Sequence, residues 1–217
     1  MPLPSRRKAK SALVLLSGGL DSAFNLGAAV TLHRNVRCLT FNYGQQAYKA
    51  EIKAARALSR YYGVGHDIVP LRWLAPLSPT YMTRGETPDG ATVRLKDLWV
   101  PNRNGVFIAV AAAFAEAAGI ENVVVGFNAE EAEAFPDNSA AFIRATNKAL
   151  SFSTRKGVTV KCYSTGLNKA DIVKGGDLLG VPWKLVYPCY GPGPRPCGRC
   201  PSCRRAAAAF RAMGRHD

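Results

Sequence analysis

Short apolar runs alternate along this chain with longer stretches of helical spacing, and that alternation leaves few folds open. Residues 12–16, 36–41, 66–70, 122–126 and 158–162 are rich in aliphatic and β-branched residues and too short for buried helices, so each reads as a strand. Between them, residues 22–33, 47–62, 106–118, 139–154 and 169–179 read as helices. In the second of these, Ile52, Ala55, Leu58 and Tyr62 recur at intervals of three and four. Strands joined by helical crossovers pair in parallel, so the expected fold is α/β, a five-stranded parallel sheet with helices on both faces. Residues 71–103 hold Pro, Gly, Thr and Trp without periodicity and read as a long functional excursion. The chain thus divides into a basic tail at 1–10, an α/β domain at 11–188 carrying the 71–103 insertion, and a C-terminal segment at 189–217. A short helix over 204–213 follows the cysteines of that segment.

Composition narrows the class. With 47% apolar and 20% charged residues over 217 positions, the chain can bury one continuous core, which excludes wholesale disorder. No apolar run approaches the roughly 18 residues that span a bilayer. The N-terminus is basic and then apolar, as in a secretory signal. Its apolar stretch at 12–16 is too short for one and runs into glycines, so a cytoplasmic protein is expected. The net charge of +14 invites a nucleic-acid reading, yet the excess sits at the ends. Residues 1–10 carry four basic groups and no acid, and residues 195–217 carry six arginines and one acid. Solvated tails account for such ends as well as anionic ligands do.

The loop after the first strand carries the sharpest signal. Ser17-Gly18-Gly19-Leu20-Asp21-Ser22 lies where a strand turns into a helix, the phosphate-binding position of a parallel sheet. Glycines let backbone amides approach an anion, the two serines add hydroxyls, and the helix N-terminus adds partial positive charge. The loop matches neither of the two commonest nucleotide fingerprints. The competing reading is a tight turn with Asp21 or Ser22 as helix cap.

Cys189, Cys197, Cys200 and Cys203 cluster near the C-terminus, the last three at two-residue gaps with Gly198 between. Four thiolates at such spacing suit a closed tetrahedral structural zinc site, one ion per chain. Redox chemistry would leave two of the cysteines unexplained, and disulfides are disfavoured in a reducing compartment. Cys38 and Cys162 fall within strands and read as core residues.

These motifs resemble the ATP-pyrophosphatase (PP-loop) superfamily, with its adenine nucleotide alpha hydrolase-like fold, and within it one family. Phe41-Asn42-Tyr43-Gly44-Gln45-Gln46 with Glu51, Val100-Pro101-Asn102-Arg103-Asn104, Gly126-Phe127-Asn128, Phe135-Pro136-Asp137, Lys169-Ala170-Asp171-Ile172-Val173 and the four cysteines follow the order seen in 7-cyano-7-deazaguanine synthases of the queuosine pathway. The resemblance spans about residues 12–210. It implies an ATP-dependent ligase forming C–N bonds, which adenylates the carboxylate of 7-carboxy-7-deazaguanine, takes ammonia to an amide, and activates that amide to the nitrile. It implies ATP with Mg2+ as co-substrate, held by Leu16, Ser17, Gly18, Gly19, Leu20, Asp21, Ser22, Ala23, Phe24, Asn25 and Leu26, with Asp21 placing the magnesium ion or the phosphates. A homodimer acting on small molecules, without direct nucleic-acid contact, is also implied.

Arg103 is the candidate for a bidentate contact to a carboxylate or phosphate, against a surface ion pair. Asp137 is a candidate for orienting the substrate amines or magnesium, against a turn or helix cap. Lys169 is a candidate phosphate contact, against a surface lysine. Tyr43 and Gln45 are candidates for the pocket wall, and His66 reads as structural. The chain departs from the family at Leu20, where Gln is usual, and at Asn102, where Gly is common. It departs again at Phe135-Pro136-Asp137-Asn138-Ser139, where many members carry Tyr-Pro-Asp-Cys-Arg. A PP-loop enzyme modifying tRNA directly, and a non-catalytic zinc module binding nucleic acid, are the alternative functions.

Overall fold

The computed structural model describes residues 10–84, 93 and 95–215. Apart from Lys10, the basic tail expected at 1–10 lies outside the described residues, as do 85–92 and 94 of the excursion. The strands are β1 (Ala12–Leu15), β2 (Val36–Asn42), β3 (Gly65–Pro70), β4 (Asn122–Val124) and β5 (Thr159–Lys161). They form a parallel sheet in the order β3-β2-β1-β4-β5, with Val14 of β1 beside Cys38 on one side and Val124 on the other. The helices are α1 (Leu20–Leu32), α2 (Tyr48–Tyr61), α3 (Leu74–Leu77), α4 (Tyr81–Arg84), α5 (Arg103–Ala117), α6 (Ala129–Ala132), α7 (Ala140–Ser153), α8 (Lys169–Leu178) and α9 (Pro201–Ala212).

Alternation along the strands builds two cores. Leu13 joins Leu39 and Phe41 against Ile108 and Ala111 of α5 and Leu150 of α7. Ala12, Val14 and Cys38 point the other way, onto Ala23 and Leu26 of α1 and Ala55 and Leu58 of α2. A period of two thus places helices on both faces, as expected. Leu16, Leu26, Leu39 and Leu58 are buried almost completely, each worth about 1.5–3 kcal/mol of apolar transfer.

Most element ends shift by one or two residues from the sequence reading, and three regions differ by more. The excursion holds α3, α4 and a 3-10 turn at Leu95–Leu98, whose Leu74, Met82 and Leu98 enter the first core. Helix α5 begins at Arg103 rather than 106, behind Asn102 at φ 52. Asn tolerates this left-handed conformation best among residues with a side chain. Helix α9 begins inside the cysteine cluster, with Cys200 as its N-cap and Pro201 in the first turn, where a missing N–H costs nothing.

From β1 the chain winds outward through β2 and β3, then returns across the sheet to β4 and β5. The loops after β1 and β4 therefore diverge, and the crevice between them is the place where open parallel sheets bind ligands.

Candidate active site

Beyond β1 the chain turns through Leu16 and Ser17 into α1, whose N-cap is Gly19 with no side-chain cap. Neither Asp21 nor Ser22 caps the helix, so its N-terminus keeps its dipole and amides for an incoming anion. Thr40 Oγ1 donates to the Leu16 carbonyl, Ser17 Oγ to Ser22 Oγ at 3.1 Å, and Ser22 Oγ to the Gly19 carbonyl at 2.9 Å. Gly18 sits at φ 84, and a Cβ there would stand 2.8 Å from Ala54 Cβ and 2.9 Å from the Glu51 carbonyl. Only glycine lets the loop lie this close to α2. At Gly126, just past β4, a Cβ would stand 3.0 Å from the Ser22 nitrogen, so the switch point is closed tightly around the loop.

A cavity opens above this loop. Leu16, Ser17, Gly19, Leu20, Asp21 and Ser22 line it. The expected nucleotide segment continues to Leu26, but Gly18, Ala23, Phe24, Asn25 and Leu26 lie off the cavity wall. The last four sit deeper in the helix, facing the interior. Ala23 and Leu26 pack under the sheet, Phe24 packs on Ile172 and Val173, and Asn25 donates to Ser164 Oγ at 2.6 Å.

Lys169 starts α8 behind a capping box made by Asn168 and Asp171. It is no surface lysine: 6% of it is exposed. Its Nζ donates to Asp21 Oδ2 and, at 3.2 Å, to Glu131 Oε1. Glu131 is set by α6, whose N-cap Asn128 accepts from the Glu131 amide at 2.9 Å. Burial pushes the Asp21 carboxyl up to about 6 against the pull of Lys169. Burial also opposes ionisation of Glu131, where Lys169 prevails and holds the carboxyl below its ordinary value. Asp21 Oδ1 is buried with no partner among the described residues. An orphaned carboxylate oxygen beside a phosphate-type loop fits a divalent cation.

Arg103 opens α5 and faces the same cavity, half-buried. It lies 5.7 Å over the Tyr43 ring, with Nη1 3.4 Å from the Tyr43 hydroxyl and 3.1 Å from Met82 Sδ. None of the described carboxylates lies within salt-bridge distance of it, while the charges of Asp137 and Glu51 both act on it from further off. Phe41 and Phe107 stack at 4.4 Å beside Tyr43. Gln45 bonds Glu51, whose buried carboxyl is pushed up to about 7 by desolvation.

Asp137 does not join this set. It occupies the 3-10 turn Pro136–Asn138, its Oδ1 accepts from Asn138 Nδ2 at 3.1 Å, and Asn104 and Asn138 line the cavity where Asp137 does not. The turn holds Asp137 outside the cavity lining yet within electrostatic reach of Arg103, whose charge opposes the rise that burial imposes on its carboxyl. His66 is structural, on edge strand β3 with Nε2 2.7 Å from Thr40 Oγ1. Cys38 is core, while Cys162 lies just past β5, half-buried, with its Sγ 3.3 Å from the Phe127 carbonyl.

The sulfurs of Cys189, Cys197, Cys200 and Cys203 lie within 4.8 Å of one another. Tetrahedral Zn–S bonds would require sulfurs about 3.8 Å apart, so the donor set fits one metal ion. Backbone amides of Gly191, Cys197, Cys200 and Cys203 donate to these sulfurs at 3.2–3.4 Å, which favours thiolates. This loop is also part of the cavity: Tyr187, Pro188, Cys189 and Tyr190 line it, and the Tyr187 amide donates to the Gly18 carbonyl at 2.8 Å.

Sequence reasoning noted Glu51 only as a companion of Gln45 and missed Glu131 and Tyr190. Glu131 had a usable signal, a carboxylate three residues after a capping Asn at the end of a central strand. Tyr190 had none.

Comparison with known proteins agrees with this geometry. A curated 7-cyano-7-deazaguanine synthase of Bdellovibrio bacteriovorus is 44% identical over 217 residues, covering 94% of each chain. One from Desulforudis audaxviator is 46% identical, covering 93% of this chain and 97% of its own. Among solved structures, a 4-thiouridine synthetase in complex with RNA and bound ATP aligns with TM-score 0.53 and 18% identity, over 94% of this chain and 50% of its own. NMN synthetase from Francisella tularensis aligns with TM-score 0.53 and 16% identity, over 97% and 79%. These two likenesses establish the fold. The sequence model of the family described as queuosine biosynthesis protein QueC matches residues 11–214, and the chain belongs to that family.

Proposed function

We propose that this chain is an ATP-dependent ligase that makes 7-cyano-7-deazaguanine from 7-carboxy-7-deazaguanine and ammonia. The observation that carries this is Arg103, a guanidinium without a carboxylate partner facing the same cavity as the anion-ready loop at Ser17–Ser22. A guanidinium with no carboxylate in direct contact, beside a phosphate site, has its fork of donors free for a second anion, and the substrate carboxylate supplies it.

With the triphosphate on the loop, the carboxylate held by Arg103 attacks the α-phosphorus and pyrophosphate departs, giving an acyl adenylate. Ammonia adds to the acyl carbon, AMP leaves and a proton is lost, giving the amide. The amide oxygen then attacks the α-phosphorus of a second ATP, pyrophosphate departs and one N–H proton is lost, and departure of AMP with the remaining N–H proton leaves the nitrile. Lys169 stabilises charge on the phosphates, and the carboxylates of Asp21 and Glu131 fix its position. Asp21, with its unpartnered oxygen, would hold the magnesium ion that accompanies ATP and neutralises its charge. The four cysteines would hold one zinc ion, which supplies a cross-link fixing the wall at residues 187–190.

None of the helices among the described residues is long and apolar enough to cross a membrane. We read the protein as cytoplasmic, acting on small molecules without direct nucleic-acid contact, and homodimeric, with exposed Trp73, Leu77 and Phe152 available to an interface.

The test is incubation with 7-carboxy-7-deazaguanine, ammonium, ATP and magnesium, with mass detection of the nitrile. Arg103→Met is expected to lower kcat/KM for the acid about 100-fold while leaving ATP affinity unchanged. Absence of nitrile with the unaltered protein would refute the reading.

A further inference from the structure

Three carboxylates line the cavity, Asp21, Glu51 and Glu131. Asp21 and Glu131 are both committed to Lys169. Glu51, 9% exposed, makes no salt bridge among the described residues and feels Arg103 only from a distance. Its Oε2 accepts from Gln45 Nε2 at 2.8 Å. That amide is itself locked, donating also to the Phe41 carbonyl at 3.0 Å and accepting from the Tyr43 amide at 2.9 Å. Gln45 therefore has little left to offer a ligand and holds Glu51 at one angle. Oε1 of Glu51 bonds none of the described residues and is not among the sealed, orphaned atoms, so it opens onto the cavity. The side chains of Phe41, Tyr43 and Phe107, packed on one another, stand in the same lining.

An oriented carboxylate beside aromatic walls suits a planar heterocycle that presents two adjacent donors. We propose that Glu51 reads the 2-aminopyrimidinone edge of the deazaguanine, accepting from its N1–H and its 2-amino group while the ring lies against the aromatic side chains. This rests on the function proposed above and adds the residue that sets substrate selectivity. A carboxylate offers acceptors only, so it matches that edge at both positions. The adenine of ATP presents an acceptor beside its amino group, and Glu51 would discriminate against it in this place. Gln45 is a positioning residue that acts through Glu51.

The experiment compares nitrile formation from 7-carboxy-7-deazaguanine and from its 2-desamino analogue, in the full chain and in Glu51→Gln, with ATP affinity measured by calorimetry. The unaltered protein should prefer the amino-bearing substrate about 100-fold. Glu51→Gln should lose about that factor on the native substrate and far less on the analogue, with ATP affinity unchanged. An equal loss on both substrates, weakened ATP binding, or no loss at all would overturn the assignment. If Glu51→Gln does not fold, Glu51→Asp serves: it keeps both acceptors and should keep a preference above about 10-fold. Loss of that preference in Glu51→Asp, or equal use of both substrates by the unaltered protein, would overturn the inference alone. Nitrile from neither substrate would overturn the proposed function beneath it.

Discussion

Replacing Lys169 with methionine removes the cation bonded directly to two buried carboxylates. The side chains of Lys169, Asp21 and Glu131 are 7%, 15% and 18% exposed. Methionine fills the space of the aliphatic stem, so packing loss is small and electrostatics dominate. Breaking a buried pair by removing one partner costs about 3–5 kcal/mol. In a domain of this length that lowers Tm by about 10–15 °C at pH 8. The pH dependence carries a sign. Asp21 already has a folded pKa above its unfolded value, raised by burial, so its contribution to stability falls as pH rises from about 4 through 6. Without Lys169 that pKa rises further, and Glu131, now held down by the ammonium, is left to burial and rises too. The gap between Lys169→Met and the unaltered protein must therefore widen from pH 5 to pH 8. Thermal melts of both proteins at each pH, compared pairwise so that acid loss of any bound metal cancels, give the result. A gap under about 3 °C at pH 8, or one independent of pH, would refute the claim that Lys169 is the electrostatic keystone of this cavity.

Three further outcomes follow from named contacts. Cys200→Ser should lose bound metal by elemental analysis, lower Tm, and weaken ATP binding, because the loop wall reaches the Gly18 carbonyl through the Tyr187 amide. Asn102→Gly should be neutral or stabilising by under about 1 kcal/mol in urea melts, whereas Asn102→Val should cost about 1–2 kcal/mol, since φ 52 is closed to a β-branched residue. Gly18→Ala should abolish ATP binding in calorimetry, because its Cβ would displace either the loop or α2.

Much of the architecture is legible in local pattern. The short unbroken apolar run through Ala12, Leu13 and Val14 foretells a buried strand, and the alternation of strands with helices foretells a parallel sheet with helices on both faces. The Ser17–Ser22 loop and the cysteine spacing are likewise local, confined to residues 17–22 and 189–203. The competing roles of Arg103, Lys169 and Asp137 were not resolvable in that way. Arg103 and Lys169 line the cavity, while Asp137 stands behind the lining and acts on Arg103 through its charge, although all three occupy motif positions of equal appearance. Burial and company separate them, and both depend on distant segments.

The physical reason is range. Backbone propensity, side-chain period and loop chemistry act over a few residues, so the chain's own order determines the strands, the anion-ready turn and the thiol cluster. Lys169 meets Asp21 across 148 positions, and Glu51 becomes a cavity carboxylate only because α2 lies against the loop after β1. Desolvation and charge pairing between such groups come into being when the sheet takes the order β3-β2-β1-β4-β5, and the tertiary structure alone decides them.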